Sequence, residues 1–412
     1  MTTQATTQPP TNPGLSEGLN GPVLCLSHIK DKVLKNLLVT ANSQPCEFCK
    51  EILPQGQVTT LLSIEQEVKK VVQAKYNSLG RTGSSSNRFE YDSEDLVQSI
   101  CTEAFADDVS ENDNFAEILE LLNGSFDAKE RWVLKNPLFD SAWRQHEWRK
   151  FSKNVQNSSR FVFFENFAHA ASTPSNVSSD YLTMLRVFLQ PQFSLTTVVP
   201  AGTEFFRGRL IDQPIVYPNS AEDLGPAPAK IASANRMSPA GIPMFYASAT
   251  SDTAVKEIAA HGVTKYARIG KFISQKPLMV LDLTNVPEQS PSPFDLKNGN
   301  KNDVLEVFRD FAENVTRPII PDARLHSEYI PTQVVTEFFR WSPETHLDGL
   351  KLKSAQDGQD TFVLFFTADD VADTTGHAST VASATFTLHP SDVSTYEIER
   401  EVRVKPTNFV NP

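Results

Sequence analysis

The sequence contains no run of lysine or arginine comparable to a basic arm, and its formal net charge is -12. Nonspecific attraction to phosphate backbones is therefore weak, and nucleic acid is not an expected partner. No apolar stretch approaches the roughly 20 residues that a membrane-crossing helix needs, so no membrane partner is expected. The opening MTTQATTQPPTNPGLSEGLN has neither a basic start nor an apolar segment. It predicts a disordered tail over 1–20 and no secretion signal, which makes the cytoplasm the expected location. What the chain does have is apolar material: 40% of its 412 residues are hydrophobic and 27 are Phe. That length exceeds one typical core and predicts two domains besides the tail.

The four cysteines are unevenly spread. Cys46 and Cys49 form a C-x-x-C pair, and Cys25 with His28 forms C-x-x-H upstream. Each short pair presents two soft ligands from one turn, and two such turns complete the tetrahedral shell that zinc prefers. The alternative is a set of reduced buried thiols beside a surface histidine. Cys101 lies far downstream and reads as a core thiol. A redox role for C-x-x-C is disfavoured because no βαβ pattern surrounds it. We delimit a zinc-binding module over 21–60.

From Leu61 the apolar spacing is helical in LLSIEQEVKKVVQAKY, SEDLVQSICTEAF and DNFAEILELLNG, with Ser93 and Asn112 or Asp113 as N-caps. The segment RWVLKNPLFDSAWRQHEWRKFSKNVQNSSRF interleaves Trp132, Trp143 and Trp148 with basic residues. It is read as an amphipathic helix packing its aromatics inward rather than as a nucleic-acid surface. These helices define a second region, 61–190.

Beyond Gln192 the texture changes to short β-rich runs: FSLTTVV, EFFRGRL, PMFYAS, KPLMVLDLTNV, LDGLKLKS, DTFVLFF, SATFTL and STYEIEREV. Helices are expected at SDTAVKEIAAHG, NDVLEVFRDFAENV and from Pro331 in IPTQVVTEFFRW. The fold class is α+β: a helical N-terminal domain with a small zinc-binding-like module, then a mixed β core with short helices over 191–404.

Glu257 stands out by position. Its helix should be capped by Ser251 or Asp252 and end near Gly262, and Ala254 at i-3 with Ile258 at i+1 puts the carboxylate on the buried side. A carboxylate there needs a partner or a chemical role; a salt bridge or an edge position is the plainer reading. Arg207 and Arg209 in EFFRGRL and Arg236 in NRMSPAGIPMFYAS adjoin strands and turns. Guanidinium forks suit diphosphates, although surface arginines are usually solvated.

Taken in order, Arg207 in a strand, Arg236 before a Pro-Gly turn, a strand with Tyr246, Glu257, then Tyr329, Pro331 and Gln333 in EYIPTQVVTEFF, and DGLKLKS ending at Ser354, resemble the RES domain. The resemblance runs over roughly 190 to 400. The zinc-like pairs and helices resemble, more loosely, the HEPN-like domain found beside RES domains. HEPN ribonucleases carry Arg and His four to six residues apart, and Arg144 and His146 are too close, so ribonuclease activity is not expected. RES domains are similar in fold to ADP-ribosyltransferases, and characterised members act on NAD as toxins paired with an antitoxin.

By that resemblance, NAD is the substrate and its nicotinamide–ribose bond the one broken. Arg207 and Arg236 hold the phosphates and ribose, Tyr246 stacks on nicotinamide, and Ser354 orients the nicotinamide ribose. Tyr329 and Gln333 complete the cofactor-binding set, and Glu257 stabilises the oxocarbenium-like transition state. Cys25, His28, Cys46 and Cys49 are the expected zinc ligands. The resemblance also leaves room for transfer of ADP-ribose to a macromolecule, or for a module that only senses NAD. A long segment, YPNSAEDLGPAPAKIASAN, separates the first arginines from Arg236 and predicts an altered pocket rim.

Overall fold

The computed structural model describes residues 22–81, 90–106, 109, 115–124, 126–136, 140–161, 174–214, 219–260, 262–285, 292–317, 325–343 and 345–400. The expected 1–20 tail, the N-caps at Asn112 or Asp113 and the end of the 191–404 domain lie outside them. Two compact units are present. One runs up to Asp140 and includes Pro291–Asn302; the other comprises Ser141–Ser290 and continues from Asp303.

The first unit begins with β1 (Val23–Cys25), α1 (Lys32–Leu37), β2 (Val58–Thr60) and α2 (Leu61–Lys75). Strands β1 and β2 pair antiparallel. Helix α2 buries Leu61, Ile64, Val68, Val71 and Val72, each three or four residues from another of the set, as a one-sided helix must. Thr60 caps it by accepting the Ser63 N–H at 3.1 Å. Next come β3 (Tyr76–Gly80), β4 (Tyr91–Asp92), α3 (Ser93–Ala104), α4 (Phe115–Asn123) and β5 (Arg131–Leu134), with β5 between β3 and β4. The cap of α3 is Asp92, one residue before the expected Ser93. Ser93 instead donates its hydroxyl to the Asp127 carbonyl and accepts the Trp132 indole N–H at 3.0 Å. Cys101 is buried among these elements, as expected of a core thiol.

The second unit opens with α5 (Ser141–Asn157) and α6 (Pro174–Leu185). Phe151 of α5 is fully buried and stacks on Tyr181 of α6 at 4.6 Å, with Trp148 beside both rings. The basic residue Arg144 is itself buried and pairs with Asp310 at 2.6 Å. Trp132 lies on β5 and is not part of this helix.

The rest of the unit is β6 (Thr196–Val199), β7 (Glu204–Ile211), β8 (Phe245–Ser248), α7 (Ser251–Ala259), β9 (Tyr266–Ser274), β10 (Leu278–Asp282), α8 (Gly299–Thr316), α9 (Ile330–Arg340), β11 (Gly349–Lys353), β12 (Asp360–Leu364), β13 (Val371–Asp373) and β14 (Phe386–Glu397). Its strands form one mixed sheet of nine in the order β13-β14-β9-β7-β8-β12-β11-β10-β6. Only β10–β11 and β13–β14 are parallel. Phe205, Phe245, Phe272, Phe362 and Phe386 form an aromatic core on one face, with Phe245 and Phe386 stacked at 4.6 Å. YARIGKFIS, absent from the expected strands, is a full strand, β9, and one expectation is amended: SATFTL and STYEIEREV are one strand, β14, whose register shifts between Leu388 and Val393. Among the described residues no helix is long and apolar enough to cross a membrane.

The sheet is weakest between β7 and β8. They share a single residue pair, Phe206 with Ser248, whereas β7 pairs with β9 along eight residues from Glu204 to Ile211. The β7–β9 seam is tight: a Cβ on Gly208 would lie 2.0 Å from the Arg268 carbonyl oxygen and 2.6 Å from the Ile269 side chain. Strand β9 cannot retreat because β14 holds its other edge. Gly208→Ala should therefore destabilise the protein by about 2 kcal/mol and lower Tm by roughly 4–8 °C, measured by calorimetry.

A candidate active-site cleft

Where β7 and β8 part, a cleft opens. It is lined by Phe206, Arg207 and Gly208 of β7, Tyr246, Ala247 and Ser248 of β8, Ala254, Glu257 and Ile258 of α7, and Thr361, Phe362 and Val363 of β12. Its volume is about 140 Å³. A cavity of roughly 150 Å³ holds one benzene, so this one suits a single aromatic ring.

Arg207 bridges the split. Its Nη1 donates to the Tyr246 carbonyl at 2.7 Å and its Nε to the Leu224 carbonyl at 3.1 Å, with the guanidinium carbon 5.7 Å from the Phe245 ring centre. The side chain thus takes the place of ladder hydrogen bonds that diverging strands cannot make. Two of its five N–H groups are committed to backbone, which leaves less of the fork for a phosphate than the sequence suggests. Burial, and secondly the nearby Arg209 charge, lower its pKa to about 10, so it remains a cation at neutral pH.

Glu257 approaches from α7, whose cap is Thr250 rather than Ser251 or Asp252. Ala254 and Ile258 pack with Phe206 and Leu210, so the buried face is the expected one. The Glu257 carboxylate accepts a hydrogen bond from the hydroxyl of Ser354, a buried residue 97 positions away. Arg207, Tyr246 and Glu257 therefore line one cleft, and Ser354 is joined to it through Glu257. Reading Tyr246 alone missed Ser248 and Thr361, which face each other across the β8–β12 pair and also line it. The period-two rule supplies the missing signal, since Ser248 shares a strand face with Tyr246.

The other candidates form a brace behind Tyr246. Its phenol oxygen is 2.9 Å from the Ser238 hydroxyl. The Gln333 amide donates to the Asn235 and Ser238 carbonyls at 2.8 and 3.2 Å, and Thr332 donates to the Arg236 carbonyl. Tyr329 starts α9, its carbonyl accepting the Gln333 N–H at 3.0 Å. Arg236 is not among the described residues lining the cleft; it donates to the Arg317 carbonyl, and its Nε is buried without a hydrogen-bond partner. Burial lowers its pKa, opposed by Tyr329.

Burial also pushes the Tyr246 phenol up to about 12, against the opposing hydrogen bonds at Ser238 and Met237. Because the folded value exceeds the unfolded one of about 10, this stabilisation is complete below pH 10 and is lost between pH 10 and about 12. Urea titrations should show wild-type stability falling more steeply than that of Tyr246→Phe across that window, by up to about 3 kcal/mol.

In the first unit Cys25, His28, Cys46 and Cys49 converge, with their ligand atoms all within 4.8 Å of one another. Cys25 Sγ lies 3.7 Å from Cys49 Sγ. Tetrahedral zinc with Zn–S bonds of about 2.3 Å requires sulfur–sulfur edges of about 3.8 Å, so the set fits the metal. Burial tends to raise the Cys46 pKa, but backbone N–H groups of Cys49, Cys25 and Phe48 aimed at its sulfur outweigh that and hold it below the ordinary thiol value. The turn that presents this sulfur closes at Lys50, which takes a left-handed φ of 60° and donates its N–H to the Cys46 carbonyl at 2.9 Å. Such a site would hold a structural zinc, tying segment 25–28 to the 46–49 turn.

No curated protein matches the chain. A solved structure, a chain from the crystal structure of the M. tuberculosis MbcT–MbcA toxin–antitoxin complex, matches 51% of this chain and 91% of its own length at 13% identity. Its TM-score is 0.26, a likeness too slight to carry an inference. At the level of sequence families the result is more direct: residues 212–388 match the RES domain, a span that takes in Tyr246, Glu257, Gln333 and Ser354 and begins just after the strand that bears Arg207.

Proposed function

We propose that the protein consumes NAD by breaking the bond between nicotinamide and ribose, with water or phosphate as acceptor. The observation that carries this reading is the hydrogen bond from Ser354, within the RES-matching segment, to Glu257, which lines a ring-sized cleft. Loss of nicotinamide leaves positive charge on the ribose, and a fixed carboxylate stabilises it most where water is excluded. Glu257 is assigned that task, Ser354 the orientation of the ribose, and Tyr246 the face on which nicotinamide stacks. Arg207 and Arg236 are assigned to the phosphates and ribose, with Tyr329 and Gln333 supporting them.

The family resemblance further supports a toxin of a toxin–antitoxin or defence system, with an antitoxin as protein partner, and a cytoplasmic site of action on NAD. Zinc is assigned to the four-ligand cluster of the first unit, and the helices of 61–190 to a HEPN-like region without ribonuclease chemistry. Purified protein mixed with NAD should release free nicotinamide, read by mass spectrometry. ADP-ribose or its phosphorylated form identifies the acceptor as water or phosphate. Label from NAD appearing on a macromolecule would instead identify an ADP-ribosyltransferase, and NAD recovered intact would overturn the enzymatic reading.

A further inference from the structure

We propose that Asp357 is a positioning residue: it clamps the β11–β12 loop onto α7 so that the Ser354 hydroxyl stays on the Glu257 carboxylate. The inference rests on the catalytic reading above for its kinetic consequence, and on geometry alone for the clamp.

Two side chains of the same short loop reach the same face of α7, and they do so in opposite senses. Ser354 donates to Glu257, while the Asp357 carboxylate accepts from the Thr253 hydroxyl at 3.0 Å. Thr253 and Glu257 are four residues apart and so lie one turn apart on one face of the helix. Thr253 is fully buried, and Lys256, the neighbour of Glu257, adds a 3.3 Å contact to the same Asp357 oxygen. The second Asp357 oxygen accepts the Gln359 N–H at 3.1 Å, so the carboxylate is held by loop and helix at once.

The loop is otherwise closed on Ser354. Gln356 N–H donates to its hydroxyl oxygen, Gly358 N–H to its carbonyl, and its own N–H to the Gln359 carbonyl. Gly358 takes a φ of +72°, the left-handed turn that glycine accepts and other residues resist. Without Asp357, one side-chain hydrogen bond among the described residues, from the Ser354 hydroxyl, would hold the loop against α7, and the Ser354 rotamer would no longer be set from both ends.

A simple capping role for Asp357 near the start of α7 would stabilise the helix with no special link to Ser354, and a double-mutant cycle separates the two. Asp357→Ala, Ser354→Ala and the double variant are made in the full chain, with Thr253→Val as a second way to remove the clamp. Hydrogen exchange of the peptide spanning 354–359 is expected to speed up roughly tenfold in Asp357→Ala and in Thr253→Val. The kcat for nicotinamide release should fall roughly tenfold with KM within about twofold. In the Ser354→Ala background, Asp357→Ala should change kcat by less than about twofold, because its effect passes through Ser354. Unaltered exchange, or a full multiplicative loss in the double variant, overturns the proposal. Wild-type protein that releases no nicotinamide overturns the catalytic reading instead, and the exchange measurement then decides the clamp by itself.

Discussion

Glu257→Gln is expected to lower kcat for nicotinamide release by about a thousandfold, close to 4 kcal/mol of transition-state stabilisation, with KM changed little. The substitution keeps the shape of the side chain and an acceptor for the Ser354 hydroxyl, so the cleft wall and α7 stay in place. What disappears is the negative charge, which matters only while the ribose carries a positive one. The split between kcat and KM therefore tests the assignment. Chromatographic assay of nicotinamide alongside a melting curve provides the measurement, and equal release by variant and wild type at equal Tm would remove Glu257 from the chemistry.

The second large effect concerns the first unit. Protein purified without chelator is expected to carry about one zinc per chain, and Cys46→Ser is expected to lose it. Structural zinc contributes on the order of 10 kcal/mol in small metal-dependent domains, so its loss should melt the segments it joins. Those segments bear much of the local core, with Leu24, Ile29 and Val58 buried beside the ligands. Elemental analysis together with hydrogen exchange over residues 22–60 checks the prediction. A metal-free protein whose exchange in that region matches the metal-loaded form would show that buried thiols alone suffice.

How much of this was legible in the sequence varies with the range of the interaction. The convergence of Cys25, His28, Cys46 and Cys49 could be read from two short spacings, because each pair sits on one turn. The buried side of α7 was legible from Ala254 and Ile258, and its cap was missed by one residue because Thr250, Ser251 and Asp252 all carry capping oxygens. Strand β9 was missed for a physical reason. It is covered on both faces and so has no alternation, and its run is broken by Arg268, Gly270 and Lys271. The structure accommodates Arg268 through a 2.7 Å bond to Thr395 and uses Gly270 where Leu388 packs against the strand. The strands β1 to β5 are two to five residues long, too short to set a period. The contact between Glu257 and Ser354 has no local signature at all; only the family resemblance drew the two together. That Arg207 is half spent on carbonyls follows from the parting of β7 and β8, which no residue pattern announces.

The strand order has a consequence for synthesis. The cleft needs β12 against β8, yet β8 ends at Ser248 and β12 begins at Asp360. At roughly 5–20 residues per second a ribosome takes roughly 5–20 s to lay down the intervening chain. Throughout that interval the nascent polypeptide lacks one wall of its cleft and the loop that bears Ser354, so the Glu257 carboxylate waits without its hydroxyl partner until the β11–β12 hairpin has been made.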